Sequence, residues 1–408
     1  MTAAKTKTRQ KPYPTYKDTG IDYLEEIPEH WCILRLKNVA RFGYGDSLPA
    51  EDRVSGNFHV YGSNGIVGEN DMPNTKGPCL IVGRKGSYGK VQFSEKPCFA
   101  IDTTYFIDSS LSKNNLRWLF YSLQWLQLDS FTKDSAVPGL SREDAYENIL
   151  PFCHIKEQSA IATFLDRETG KIDRLIALKE RQIELLQEKR TALISHVATK
   201  GLNPNAKMKD SGIEWLGEVP ERWEIVPLRW YLRISSGEWL NNSEFMVEKT
   251  IDLPYPVIGG NGVMGYTAKS NIIGTTIAIG RVGAHCGNVH LITPPAWITD
   301  NALMLKSVRE FNLDYLFFFL QSINLNRLAN QNAQPLVTGT MVKSQNVILP
   351  PSEEQKKIIR FIRFESSKIE KLISKIQNII SLLREYRTAL ISAAVTGKID
   401  VRQEVLDE

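Results

Sequence analysis

The six residues RTALIS occupy positions 190–195 and return unchanged at 387–392, 197 residues further along a chain of 408. Each copy ends an apolar repeat. In the first, the repeat runs through Ile172, Ile176, Lys179, Ile183, Leu186, Arg190, Leu193 and Val197. In the second it runs through Ile369, Ile373, Ile376, Ile380, Leu383, Arg387, Leu390 and Ala394. The steps alternate four and three in both, and six of the eight paired positions are identical. This spacing predicts two long helices, each with a heptad seam of the coiled-coil type.

Arg190 and Arg387 stand at a positions, where a cation costs stability and so carries information on orientation. In a parallel pair the two charges would face each other. In an antiparallel pair each lies near a helix C-terminus, where a cation is favourable. We expect one intramolecular antiparallel coiled coil. The alternative reading is that both arginines snorkel from a loose seam or contact a partner. Residues 171–198 would give a rod on the order of 42 Å, at about 1.5 Å per residue. Gly170 marks a place where the first helix would kink.

The rest of the chain is also written twice. DTGIDYLEEIPEHW at 18–31 matches DSGIEWLGEVPERW at 210–223, and GSNGIVG at 62–68 matches GGNGVMG at 259–265. VGRKG at 82–86 matches IGRVG at 279–283, and NNLRWLFYSLQ at 114–124 matches FNLDYLFFFLQ at 311–321. NILP at 148–151 matches VILP at 347–350, with Glu-Gln at 157–158 and 354–355 in the first turn of each long helix. Between these landmarks lie Gly-rich, β-rich runs and one amphipathic helix per copy, over about 114–128 and 311–326. The fold class is therefore α+β, with two tandem mixed bodies, β-rich and pseudo-two-fold, separated by the long helices.

Composition excludes little. Net charge is +4, so a basic DNA-facing surface would have to be local. The five cysteines (Cys32, Cys79, Cys98, Cys153, Cys286) are odd in number and widely spaced, as expected of reduced thiols in a cytoplasmic protein. The N-terminus MTAAKTKTRQK is polar and basic, unlike a signal peptide.

Searches for catalytic chemistry fail on spacing. GRKGSYGK at 83–90 has five residues before its Gly-Lys where a phosphate-binding loop needs four, and Val91 replaces the magnesium-binding hydroxyl. TPPAW at 293–297 lacks the leading Asn or Asp of an adenine-methylating motif. His285, Cys286 and His290 lack a fourth partner for a metal.

Residues able to contact a nucleic acid are Arg84, Lys85, Ser87, Tyr88 and Lys90 in the first copy and Arg281, His285 and Asn288 in the second. Arg and Lys contact phosphate or guanine, Asn reads adenine, and glycine lets backbone approach a phosphate. The bland alternative is an ordinary hairpin with solvated charges. Asn64 and Asn261 are candidates too, although Asn-Gly is also a common hairpin turn. SAVPGLS at 135–141 and AQPLVTGT at 333–340 read as loops at a groove, with Gln334 as the candidate reader. The aromatic helices read as core rather than base-stacking platforms.

Taken in order, the Pro-x-x-Trp segments, the Gly-x-Asn-Gly turns, the Leu-Pro…Glu-Gln helix starts, Lys171-Ile172-Asp173 with Lys368-Ile369-Glu370, and the two RTALIS copies resemble the specificity subunits of type I restriction–modification systems. The resemblance covers nearly the whole chain. It implies target-recognition domains at 15–152 and 202–350, a central conserved helical region at 153–201 and a C-terminal one at 351–400. Tails are expected at 1–14 and 401–408. It implies a non-catalytic subunit of a bacterial or archaeal cytoplasmic complex, recognising a bipartite, asymmetric site on double-stranded DNA. The partners would be two adenine-methyltransferase subunits bringing S-adenosylmethionine and two motor-nuclease subunits bringing ATP and Mg; no cofactor is expected on this chain. Leu150-Pro151-Phe152-Cys153-His154-Ile155 departs from the family's Pro-Pro run, seen at Leu349-Pro350-Pro351, so the first junction is expected to differ in shape. The rival reading is a structural coiled-coil protein whose repeated domains bind proteins only.

Overall fold

The structure, a computed structural model, describes residues 11–129, 139–283, 285–308, 312–329 and 335–402. Chain contacts group into two compact units. One is Met1–Glu180 with Asn378–Glu408, the other Arg181–Gln377. Each therefore holds one body and one half of each long helix.

In the first unit, an antiparallel sheet orders Gly43–Tyr44, Thr104–Asp108, Cys79–Gly83 and Val91–Ser94 side by side. The unbroken apolar run at Cys79–Gly83 suits its central place, where every residue is buried. A second sheet pairs Gly65–Asn70, Phe58–Gly62 and Phe99–Ala100. The helix Leu116–Leu126 is capped by Asn115, whose side chain accepts from the amides of Arg117 and Trp118. It ends at Gln127, a non-glycine residue with φ of 47°.

The second unit repeats this plan. Its main sheet orders Leu232–Ser236, Ala302–Ser307, Thr276–Gly280 and Val289–Ile292. Its second sheet gains a strand, Phe245–Met246, beside Gly262–Thr267, Tyr255–Gly259 and Trp297–Ile298. The helix Leu313–Ser322 is capped by Asn312 in the same way. It is shorter than expected because Asn324, at φ 50°, breaks it before the short turn Leu325–Leu328. Trp118, Tyr121, Tyr315 and Phe319 are fully buried, so these helices are core elements.

The long helices are Ile155–Lys200 and Ser352–Val395. The first helix continues through Gly170, where packing outweighs about 1 kcal/mol of propensity. The departure at Phe152-Cys153-His154 does not change the helix start. The His154 carbonyl accepts from the amides of Glu157 and Gln158, as the Pro351 carbonyl does from Glu354 and Gln355. Both Glu-Gln pairs are anchors. Gln158 Nε2 donates to the Cys153 carbonyl, and Gln355 Nε2 to the Pro350 carbonyl. Buried Glu157 accepts from the Tyr13 hydroxyl at 2.6 Å and lies 3.1 Å from His30 Nε2. Glu354 accepts from the Trp223 indole N–H at 3.1 Å.

Both expected tails include packed residues. Residues 1–10 and 403–408 lie outside the described residues, but Tyr13 is buried and stacks edge-on against Trp31. Val401 is buried, and the Asp400 amide donates to the Lys11 carbonyl. Apolar Tyr13 and Val401 have core to fill, which a polar-composition reading of the ends overlooks.

In the first unit the helices run antiparallel: Asp173 pairs with Arg387 and Glu180 with Arg384, each at 3.0 Å. In the second, Arg190 pairs with Glu370 at 3.1 Å. Each RTALIS arginine thus meets the acid that follows Lys-Ile in the other long helix, rather than relying on helix-end electrostatics alone. Ile172, Ile369, Ile376, Ile380 and Leu390 are buried, and Ile176, Ile183, Leu186, Leu193, Ile373 and Leu383 are half-buried. Among the described residues no helix is long and apolar enough to cross a membrane.

Candidate nucleic-acid interface

The hairpin of Phe58–Gly62 and Gly65–Asn70 turns on Ser63 and Asn64. Asn64 Oδ1 accepts from Lys90 Nζ at 2.9 Å and from Ser87 Oγ at 3.4 Å. In the second unit the turn is Gly260-Asn261, and Asn261 Oδ1 accepts from Asn288 Nδ2 at 2.9 Å. The same tether is built twice with a different donor, so each hairpin tip is held against the Gly-rich turn of its own unit.

Those turns close on themselves. The Gly83 amide donates to the Lys90 carbonyl and the Gly89 amide to the Gly83 carbonyl, both at 2.8 Å. Gly280 to Asn288 and Gly287 to Gly280 repeat these bonds. The amides of Arg84 and Lys85 donate to the Thr103 carbonyl. These six amides are already used within the turns, so they are not free to donate to a phosphate. The glycines serve the turn instead. Gly89 has φ of +75°, and a Cβ there would lie 2.3 Å from the Asp129 amide nitrogen.

Lys85 and Lys90 are exposed, and neither they nor Arg84 has a carboxylate partner among the described residues. The Arg84 guanidinium lies 5.1 Å from the Tyr44 ring centre and 5.8 Å from that of Tyr105. Burial pushes the Tyr105 hydroxyl pKa up, so this ring stays neutral. Tyr88 is half-buried, with its ring packed against the core of the first unit. In the second unit Arg281 Nη1 donates to Ser236 Oγ at 3.2 Å, and His285 and Asn288 are exposed. A cleft of about 440 Å³ there is lined by Asn261, Gly262, His285 and Asn301. The loops before each Leu-Pro join these surfaces: Lys85 bridges Gly139, and Val282 bridges Leu336. Gln334 and residues 135–138 lie outside the described residues.

Sequence reading missed several residues. Tyr44 and Arg142 share the first surface with Arg84. Ile66 and Val67, with Val263 and Met264, expose apolar side chains just after the Asn-Gly tips. A period-2 pattern alone signals such exposed strand positions only weakly, and Tyr44 is brought to Arg84 by strand pairing that no local motif reveals.

A second repeated feature lies beside RTALIS. In the first unit a cleft of about 530 Å³ is lined by Tyr23, Gln124, Trp125, Arg387, Thr388 and Ser392. In the second, one of about 1040 Å³ is lined by Arg190, Thr191, Ser195, Gln321 and Asn324. Gln124 and Gln321 are equivalent positions. The amide oxygen of each is buried without a hydrogen-bond partner among the described residues.

A family model described as the type I restriction modification DNA specificity domain matches twice, over residues 28–188 and 220–380. The chain belongs to this family. Each match covers one body and most of the long helix that follows it, so the duplicated segment is one specificity domain. Among curated relatives, the type I restriction enzyme MjaVIII specificity subunit of Methanocaldococcus jannaschii is 25% identical, over 92% of this chain and 94% of its own. The putative type I restriction enzyme MjaX specificity subunit of the same organism is 26% identical over 95% and 98%. A chain from a structure of the assembly and conformational transition of the type I R-M system matches with a TM-score of 0.65, at 14% identity over 91% and 99% of the two chains. That likeness supports the fold.

Proposed function

We propose that this specificity subunit reads a bipartite, asymmetric DNA site, one half with each unit, and that it has no catalytic activity of its own. The observation that carries the reading is the pair of equivalent surfaces built on unlike side chains. Asn64, Arg84, Lys85 and Lys90 form one, and Asn261, Arg281, His285 and Asn288 the other. Equivalent backbones with different donors suit two unlike half-sites. An unread spacer separates the halves in this reading, with half-site centres about one helical turn apart.

The partners proposed are two methyltransferase subunits and two motor-nuclease subunits, which bring S-adenosylmethionine, ATP and Mg. Two features support docking of other chains. The long helices expose a second apolar stripe: Leu175, Leu178, Ile379, Leu382 and Tyr386 in the first unit, and Leu185, Phe361, Phe364 and Leu372 in the second. Such a stripe on a helix pair suits further helices laid against it. The RTALIS cleft with its unpartnered glutamine occurs once per unit, which suits two copies of one partner.

The test is methylation mapping of DNA treated with the purified chain and its methyltransferase subunit. Two unlike half-sites around a fixed spacer are expected, with Lys85→Ala altering one half and Arg281→Ala the other. A continuous palindrome, or both variants altering one half, would overturn the reading.

A further inference from the structure

Tyr44 stands between two guanidinium groups. Arg84 lies 5.1 Å from its ring centre, and so does Arg142. Arg142 also lies 5.9 Å from the Tyr146 ring, and Arg84 5.8 Å from Tyr105. The stack is assembled from three distant pieces of chain. Tyr44 sits on an edge strand paired with Thr104–Asp108. Arg84 leads the Gly-rich turn. Arg142 opens a short helix capped by Ser141 and follows Leu140, whose amide donates to the Arg84 carbonyl.

The second unit has the same backbone without the stack. Leu303 pairs with Ser236 as Tyr105 pairs with Tyr44. Val337 donates to the Arg281 carbonyl as Leu140 does to that of Arg84. Thr338 caps its helix as Ser141 does, which places Gly339 where the first unit has Arg142. Arg281 is left with a hydrogen bond to Ser236.

Two cations gathered on one half-exposed ring call for an anion or an acceptor. Glu143 lies 3.6 Å from Arg142; Arg84 has no carboxylate partner among the described residues, and its Nη1 donates to the Asp102 carbonyl at 3.4 Å, which leaves its other edge donors for a ligand. Arg142 Nε is buried and lacks a hydrogen-bond partner among the described residues. Stacking on an aromatic face fixes the plane of a guanidinium and leaves its edge donors free. A planar fork held in one orientation matches the O6 and N7 acceptors of guanine in the major groove.

We propose that the Arg84–Tyr44–Arg142 stack is a specificity element of the first unit only. It reads guanine in one half-site, with Arg142 in contact with DNA and Tyr44 as its positioning residue. This rests on the two-reader function above. It adds residues that family membership does not assign.

The experiment uses the full chain with its methyltransferase subunit and compares wild type with Tyr44→Ser, Arg142→Lys and Arg142→Ala. Methylation mapping of wild type comes first. If it shows no bipartite site, the two-reader function fails and this element fails with it. Given a bipartite site, each variant is expected to relax one guanine-containing position in the same half-site, with discrimination there falling about ten-fold or more. The other half-site stays unchanged. Arg142→Lys separates base from backbone contact, because it keeps the charge and loses the fork. A bipartite wild type with an unchanged consensus in Tyr44→Ser and Arg142→Lys, and affinities within two-fold, would overturn the stack's role alone. So would Arg142→Ala weakening binding uniformly across sequences with full rescue by Arg142→Lys, since that is the behaviour of a phosphate contact.

Discussion

Replacing Ile380 by Asp tests the helix pairing on which the fold depends. Ile380 is 6% exposed, whereas Leu382, two residues along the same helix, is 62% exposed. Two residues turn a helix by about 200°, so one points into the seam and the other away from it. Removing a buried Ile side chain costs about 2–5 kcal/mol through lost transfer energy and the cavity left behind. An unpaired carboxylate in that space adds to the cost, since the nearby cations Arg384 and Arg387 already face Glu180 and Asp173. A total of about 4 kcal/mol is roughly a quarter or more of the stability of an ordinary domain. For a unit of this size it lowers the melting temperature by roughly 8–16 °C. Leu382→Asp, at a solvated position, should cost less than about 1 kcal/mol. Thermal melts followed by circular dichroism at 222 nm decide the matter. Equal losses for the two variants, or an Ile380→Asp melt within a degree or two of wild type, would refute the seam.

Leu382→Asp should instead weaken co-purification with the methyltransferase subunit, because it places a charge in the exposed apolar stripe; retention of the full complex in size-exclusion chromatography would count against that docking surface. Arg387→Glu should destabilise by about 0.2–1 kcal/mol, the range of exposed pairs, and adding Asp173→Arg should restore most of it, measured as a double-mutant cycle. Gly397→Ala should cost more than Gly170→Ala: Gly397 sits at φ of +75° with Pro28 Cδ 2.4 Å from a built Cβ, while Gly170 has nothing within 4 Å. Denaturant midpoints for the two variants check this order. Gln124→Leu and Gln321→Leu should leave the melt of the chain unchanged or raise it, since each removes an unsatisfied buried acceptor, while reducing partner binding.

Legibility in the sequence followed the range of the interaction. The seams at Ile172–Val197 and Ile369–Ala394 are governed by a 3.5-residue period, and a period is visible along the chain. The Leu-Pro and Glu-Gln landmarks are local caps, so the starts of the long helices could be placed to within a few residues. Tyr13 and Val401 escaped because their burial depends on docking between the two ends of the first unit, seen in the bond from the Asp400 amide to the Lys11 carbonyl. The hairpin turns at Asn64 and Asn261 were legible because Asn-Gly is a local turn signal. The candidate site was not legible where strand pairing supplies the neighbour. Nothing near residue 44 in the sequence announces that Arg84 and Arg142 meet its ring. The packing of the Tyr88 ring against the core was not legible either, because a Gly-rich loop carries no local signal of what its rings touch.

The same physical distinction accounts for the identity of RTALIS. A seam alone constrains two residues in seven, here Arg190 with Leu193 and Arg387 with Leu390. The other positions of a coiled coil are usually free to vary. In this chain they are not free, because the helix has a second face against its unit's body. Thr191, Ala192, Ile194 and Ser195 line the larger cleft, and Thr388, Ile391 and Ser392 line the smaller one. Ile194 and Ile391 are buried as well, in cores with Trp223 and Trp31 respectively. One turn and a half of helix therefore answers to a partner helix through Arg and Leu, and to the body and its cleft through Thr, Ile and Ser. A substitution that suits one face changes the other, which leaves few sequences able to serve both. The reading surfaces carry no such double constraint. Lys90 and Asn288 each donate to the oxygen of an equivalent asparagine, and either side chain holds the turn. Divergence is therefore tolerated at the surface proposed to meet DNA, while the helix that carries it stays fixed.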